Sequence, residues 1–197
     1  MTTNPTTSTS TTSTTTADSA TGSGGAERAD LLDVLHKHRG LFLRTVAGLT
    51  DEQARLTPTV SSLSLGGLVK HVTAVERQWA SFVTDGPAPT PDVDWANVDW
   101  SNPPPEVLAY ADGFRMTEQE TLTGLVADYD AASAATDELV RTVDLDGRQP
   151  LPTAPWFEPG ASWSARRVFT HMLAETAQHA GHADIIRETI DGQKSMG

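Results

Sequence analysis

The sequence predicts an all-α fold: a four-helix bundle with long Pro- and Trp-containing loops and a disordered N-terminal tail. Three observations lead there. Four segments carry apolar residues at three- and four-residue steps, the period of a helix face. Each is roughly 20 residues long, enough for one bundle helix. No segment sustains the alternation of a half-buried strand.

In chain order, residues 1–25 are nearly all Thr, Ser, Gly and Ala, with Asp18 the only charged side chain. Ordering them would cost about 1–2 kcal/mol of backbone entropy per residue with little burial to offset it, so this stretch reads as a disordered tail. The bundle is assigned to 26–192, with 193–197 a C-terminal tail. In the first helix Leu32, Leu35, Phe42, Leu43, Val46 and Leu49 share a face, Gly48 marks the stop, and Thr50 caps a short turn from Asp51 to Leu56. The second runs from a Ser64 cap through Leu68, Val72, Val75, Trp79 and Phe82 and ends before Gly86-Pro87. The third starts near Thr117 or Thr121 and continues through Leu125, Tyr129 and Ala132 to Val140. The fourth follows a Ser162 or Ser164 cap, extends from about Ala165 to Ile190 and stops at Asp191-Gly192. Two long connections, about Thr84 to Met116 and about Asp144 to Ser162, are rich in Pro and carry Trp95, Trp100 and Trp156. Loops of that length either cap the bundle end or wall a pocket.

Composition narrows the function classes. The 197 residues hold 26 acidic and 14 basic side chains, for a net charge of −12, and no cysteine. Phosphate binding needs clustered Lys and Arg, so nucleic acid is not an expected partner. A disulfide scaffold, a Cys-ligated zinc site and a Cys nucleophile are all excluded. No apolar run approaches the roughly 20 residues that cross a bilayer. No Lys or Arg precedes Arg28 and no apolar run follows the start, so no signal peptide is expected. The expectation is a cytoplasmic protein acting on a small molecule.

The fourth helix carries polar residues where a core stripe predicts apolar ones. Val168, Met172, Glu175, His179, His182 and Ile186 follow one another at steps of four and three, and His171 flanks the same face. Burying an unpaired carboxylate costs several kcal/mol, so something in the core must compensate Glu175. On the second helix His71 lies within the sector of Leu68, Val75 and Phe82. One His from one helix meeting a Glu and one or two His from another is a set of metal-ligand type. Glu175 and His179 are about 6 Å apart along the axis, as are His179 and His182 to within a residue, whereas Glu175 to His182 is about 10.5 Å. One cation can take either adjacent pair, and His179 belongs to both. The competing reading is a hydrogen-bonded polar network without metal. The helix has no His-Glu-x-x-His, and a di-iron bundle needs paired Glu-x-x-His motifs that are missing.

Arg39 falls inside the first helix's apolar stripe, between Leu35 and Phe42. Either its stem snorkels to the rim, or its guanidinium faces the cavity and holds a carboxylate of substrate or of Glu175. His36 and His38 border that stripe and are expected to be partly solvated. Glu76, Asp184, Arg187 and Glu188 map away from the stripe centres and read as solvated.

Two strings carry a family resemblance. Leu65-Gly66-Gly67-Leu68-Val69-Lys70-His71-Val72, followed by Val75-Glu76-Arg77, is similar to the second helix of DinB-like proteins. His171-Met172-Leu173-Ala174-Glu175-Thr176-Ala177-Gln178-His179-Ala180-Gly181-His182-Ala183-Asp184-Ile185-Ile186-Arg187-Glu188 resembles the branch of mini-circle or DinB-like proteins, whose relatives include mycothiol-dependent maleylpyruvate isomerases. The resemblance covers about residues 27–192. It implies an up-down-down-up bundle with a divalent metal in one end, held at the positions of His71, Glu175 and His179. Many members carry His at the position of Glu175; the isomerases carry Glu. His182 would then stand behind the ligands or face substrate.

What the resemblance implies for function is a metal-dependent transferase that joins a low-molecular-weight thiol, mycothiol-like, to a small electrophile. Three protein ligands leave zinc an open position, and nickel or iron also suits a His/Glu set. The sulfur must arrive with the cosubstrate, since the chain has none of its own in Cys; Arg39 or His182 would orient the electrophile. The alternatives are a metal-dependent hydrolase of small amides or esters, and a non-catalytic metal- or ligand-binding bundle acting in stress response. DinB-like bundles are often dimers, so a homodimer is a further expectation.

Overall fold

The structure is a computed structural model describing residues 1, 18–89, 98–152 and 157–196. Its long helices are α1 (Asp18–Arg44), α3 (Leu65–Asp85), α5 (Leu122–Thr142) and α6 (Ala165–Asp191); α2 (Asp51–Arg55) and α4 (Pro105–Asp112) are short. Strands β1 (Arg148–Pro150) and β2 (Ser162–Ser164) pair antiparallel, with Gln149 opposite Trp163.

Cap chemistry sets the boundaries. The Ser64, Thr121 and Ser164 hydroxyls accept from the backbone N–H of Gly67, Gly124 and Arg167, and Thr50 forms a reciprocal capping box with Gln53. Each such cap is worth about 1 kcal/mol. They select Thr121 over Thr117, and Ser164, the last residue of β2, over Ser162. Gly192, at φ 76°, closes α6 in the left-handed conformation.

Contacts at both ends fix the helix directions. Glu27 meets Arg166, and the Arg187 guanidinium donates to the Thr45 and Ala47 carbonyls, so α1 and α6 run parallel. Lys70 pairs with Glu120 and Arg77 with Asp128, so α3 and α5 run parallel. Arg28 donates to the Val140 and Val143 carbonyls while Phe42 packs edge-on against Tyr129, which makes α1 and α5 antiparallel. His71 faces His179 and Trp79 faces His171, so α3 and α6 are antiparallel too. The connectivity is up-down-down-up.

A polar layer divides the core. One apolar cluster gathers Phe42, Leu68, Val72, Tyr129, Ala180 and Ile186; the other gathers Leu35, Phe82, Val140, Val168, Phe169 and Met172. Between them each long helix contributes a buried polar residue: Arg39, Glu76, Thr136 with Asp137, and Thr176. Arg39 Nη1 donates to Asp137 Oδ1 at 2.7 Å and Nη2 donates to Glu76, while His36 holds the other Asp137 oxygen. Burial pushes the Glu76 carboxyl above its usual range, and Arg39 opposes this without fully offsetting it. Burial also acts on Asp137, but hydrogen bonds from His36 and Arg39 outweigh it and hold that carboxyl low.

Two expectations are corrected here, those for Glu76 and Arg187. The helix α1 starts at Asp18, inside the segment read as a tail; residues 2–17 of that tail lie outside the described residues, as do Trp95 and Trp156. The long connections contain α4, begun by Pro105 in the helix-compatible first position, and the β1–β2 pair. Glu76 and Arg187 are 3% and 2% exposed rather than solvated. Asp184 accepts from the backbone N–H and hydroxyl of Ser195, which fastens part of the stretch assigned as a C-terminal tail.

Gly66 and Gly67 are demanded by close approach. A Cβ on Gly66 would lie 2.5 Å from the Met116 sulfur, and one on Gly67 would overlap the Phe114 carbonyl. Their bare backbone lets segment 114–116 cross the first turn of α3. That crossing sets Phe114 over His71.

Candidate metal centre

His71, in the second turn of α3, meets Glu175 and His179, one turn apart on α6, across the antiparallel seam. One ligand atom from each lies within 4.8 Å of the other two. His179 Nε2 is 3.6 Å from Glu175 Oε2, and the His71 and His179 rings stand nearly perpendicular at 4.9 Å. A gap of 3.6 Å is too long for a hydrogen bond. That spacing leaves room for an ion between the donors.

Protonation favours the same reading. Burial lowers the affinity of His71 for a proton, against the pull of Glu175. His179 is lowered as well, by burial first and then by the neighbouring His71 and His182. Both rings are therefore neutral at pH 7 and offer lone pairs, as metal ligands must. Among the described residues no Lys or Arg pairs with Glu175; its neighbours are His171 Nε2 and His179 Nε2, each at 3.6 Å. A half-buried carboxylate facing uncharged imidazoles is poorly compensated until a cation joins it. The donor set, two imidazoles and a carboxylate, fits zinc and other divalent first-row ions.

The surroundings are aromatic on both sides. Phe114 stacks on His71 at 4.6 Å and 24°. Further along the seam Trp79 and Trp163 stack at 5.0 Å, and His171 stands edge-on to both at 4.9 and 5.2 Å. Burial lowers His171 as it does the other two, with Glu175 opposing.

The structure thus brings together His71, Glu175 and His179. His182 is half-buried beside them, its Nδ1 3.4 Å from that of His179. It does not bring Arg39 to Glu175: the terminal guanidinium nitrogens are taken by Asp137 and Glu76. The stripe also shifts. Thr176, Ala180 and Ala183 occupy the buried centre of α6, and Glu175, His179 and His182 sit half-buried on its flank. Sequence reasoning missed Phe114, Trp79 and Trp163 as neighbours of the site. The only available signal was Trp79, two turns from His71 on the same face of α3. A separate groove of about 500 Å³, lined by Lys70, Thr73, Arg77, Glu120 and Asp128, contains none of the three residues, and its cations are paired.

A family model described as mycothiol-S-transferase matches residues 30–192. In three dimensions the chain is similar to a conserved protein of Enterococcus faecalis known from a crystal structure. The TM-score is 0.57 at 17% identity, over 83% of this chain and 96% of that one, which shows a shared fold. No curated protein matches the sequence.

Proposed function

The chain belongs to the mycothiol-S-transferase family, and from that premise we propose that it is a divalent-metal-dependent enzyme transferring a low-molecular-weight thiol to a small electrophile. The observation that carries the reading is the convergence of His71, Glu175 and His179 on one point between α3 and α6. These three residues would hold the ion, zinc by preference, with nickel or iron compatible. A bound divalent cation supplies a place where a thiol loses its proton near neutral pH.

The remaining work falls to the chain's own groups. Phe114 and the Trp79–Trp163 pair line the two flanks of the seam and hold the imidazole planes of His71 and His171. His182 stands close enough to His179 to hydrogen-bond a substrate placed against the centre. Arg39 has no part in this, because its charge is consumed in the core. The chain has no cysteine, so the reacting sulfur comes with the cosubstrate. Among the described residues no helix is long and apolar enough to cross a membrane, and we place the activity in the cytoplasm.

The test is mass spectrometry of incubations with mycothiol and chlorobimane, beside elemental analysis of protein purified without added metal. A conjugate formed by the wild type and absent in His71→Ala, with about one ion per chain, is the expected result. Metal bound without any conjugate across several thiols would leave a binding bundle. Ester or amide cleavage without added thiol would make it a hydrolase.

A further inference from the structure

Arg167 is one of the cations that form no pair with a carboxylate among the described residues. Its neighbour Arg166 is engaged by Glu27 and Asp146. Arg167 instead lies exposed with its guanidinium carbon 4.3 Å from the centroid of the Trp163 ring. No carboxylate pairs with it among the described residues, although the chain carries 26 acidic side chains. Its place on α6 is specific. Arg167, His171, Glu175 and His179 follow one another at intervals of four residues, so they form one line along the helix. Contacts confirm the line: Trp163 meets Trp79 and His171, and His171 lies 3.6 Å from Glu175.

We propose that Arg167, Trp163 and Trp79 form a subsite for a planar, anionic group of the substrate, one end of a molecule whose other end reaches the metal centre. The distance from Arg167 to Glu175 is two turns, about 12 Å of rise, which matches a ligand of one ring plus a short arm. The Trp163 ring is covered by the guanidinium and by the stacked Trp79, with Phe157 edge-on, so the guanidinium offers its fork of N–H donors to a carboxylate and the exposed edges of the aromatic cluster supply an apolar wall beside it. The surface is also built rather than incidental. Trp163 belongs to β2, whose pairing with β1 fixes it opposite Gln149, and Gln149 donates to the Val83 carbonyl of α3. The small β1–β2 pair therefore pins one indole against another helix. A lone cation–π contact on a surface helix would need no such support.

The substrate consequence rests on the metal-centre reading, but the binding step does not, and the experiment separates them. Naphthalene carboxylate and its neutral carboxamide are titrated calorimetrically into the full chain, once zinc-loaded and once stripped with a chelator. The indole N–H resonance of Trp163, assigned from Trp163→Phe, gives the second readout. The carboxylate is expected to bind about tenfold tighter than the amide in both forms, as a charge-assisted bidentate contact allows. It should also shift the Trp163 signal. Arg167→Gln, at an exposed position, should erase the preference with an unchanged melting temperature, and Arg167→Lys should restore part of it. A preference that disappears on stripping yet survives Arg167→Gln puts the carboxylate on the metal and overturns the subsite while leaving the metal reading intact. Equal binding of acid and amide overturns it as well. If the chain binds no zinc, the stripped form still decides the question.

Discussion

Replacing Arg39 with Met should be the most costly single change in the bundle that touches no metal ligand. Arg39 is 5% exposed and Glu76 3% exposed, and they share a direct ion pair. Removing one member of a buried pair typically costs about 3–5 kcal/mol, because the other charge is left behind. For a chain of this size each kcal/mol lowers the melting temperature by about 2–4 °C, so the expected drop is about 6–20 °C. The loss should depend on pH. Glu76 is already raised by burial, and without Arg39 it rises further. The folded variant then binds a proton that the unfolded chain, at the ordinary value of 4.5, does not. Stability therefore increases as pH falls through the raised value towards 4.5, and the deficit should shrink as the pH is lowered over that range. Arg39→Met/Glu76→Gln should recover much of the loss at the higher pH and remove the pH dependence, in a double-mutant cycle read by denaturant melts. Both variants should keep wild-type zinc content. A single variant within about 1 kcal/mol of wild type, well below the range for a broken buried pair, would refute the polar layer. Loss of zinc at unchanged stability would return Arg39 to the site.

Three further outcomes follow from the same geometry. His179→Ala and Glu175→Gln should lose the ion in elemental analysis and melt below the zinc-loaded wild type; saturation at 100 times Kd is worth about 2.7 kcal/mol. His182→Ala should keep the metal. Gly67→Ala should push the Phe114 carbonyl off α3, costing about 1–3 kcal/mol in chemical denaturation and weakening zinc affinity by loosening the ring stacked on His71. Tyr129 is fully buried, and its hydroxyl lies near Thr176 and Ser133 without a hydrogen bond of good geometry among the described residues. Burial, with the Glu76 charge next, holds its proton far above the usual tyrosine range. The folded chain thus retains a proton that the unfolded chain releases above about pH 10, so stability should fall there, and Tyr129→Phe should flatten that alkaline loss in pH-dependent melts.

The long helices were legible because their signals are local. Period, cap residue and stop glycine all lie within a few positions, and Ser64, Ser164 and Gly192 act as their chemistry requires. What the sequence hid depends on distant partners. Glu76 looked solvated because its own helix places it off the stripe of Leu68, Val75 and Phe82; only Arg39 on α1 and Asp137 on α5 explain why it is buried. Arg187 is similar, since its acceptors are carbonyls beyond the end of α1. The β1–β2 pair of three-residue strands is too short to show alternation, and the run of prolines masked the start of α4.

The grouping of His71, Glu175 and His179 was only half legible in the sequence. Spacing placed Glu175, His179 and His182 at the centre of the core face, where a charged site would be sealed from substrate. The structure instead gives the centre to Thr176, Ala180 and Ala183, and turns the polar residues about one position aside, to the α3–α6 seam. Small residues at 180 and 183 leave the packing to Phe42, Val72 and Ile186, while the flank keeps enough burial to strip protons from the imidazoles. Full burial would give stronger electrostatics and no access; full exposure would give access and hydrated ligands that carry a proton more often. Half-burial beside a small-residue stripe meets both requirements, and it also continues the line along α6 towards Trp163 and Arg167.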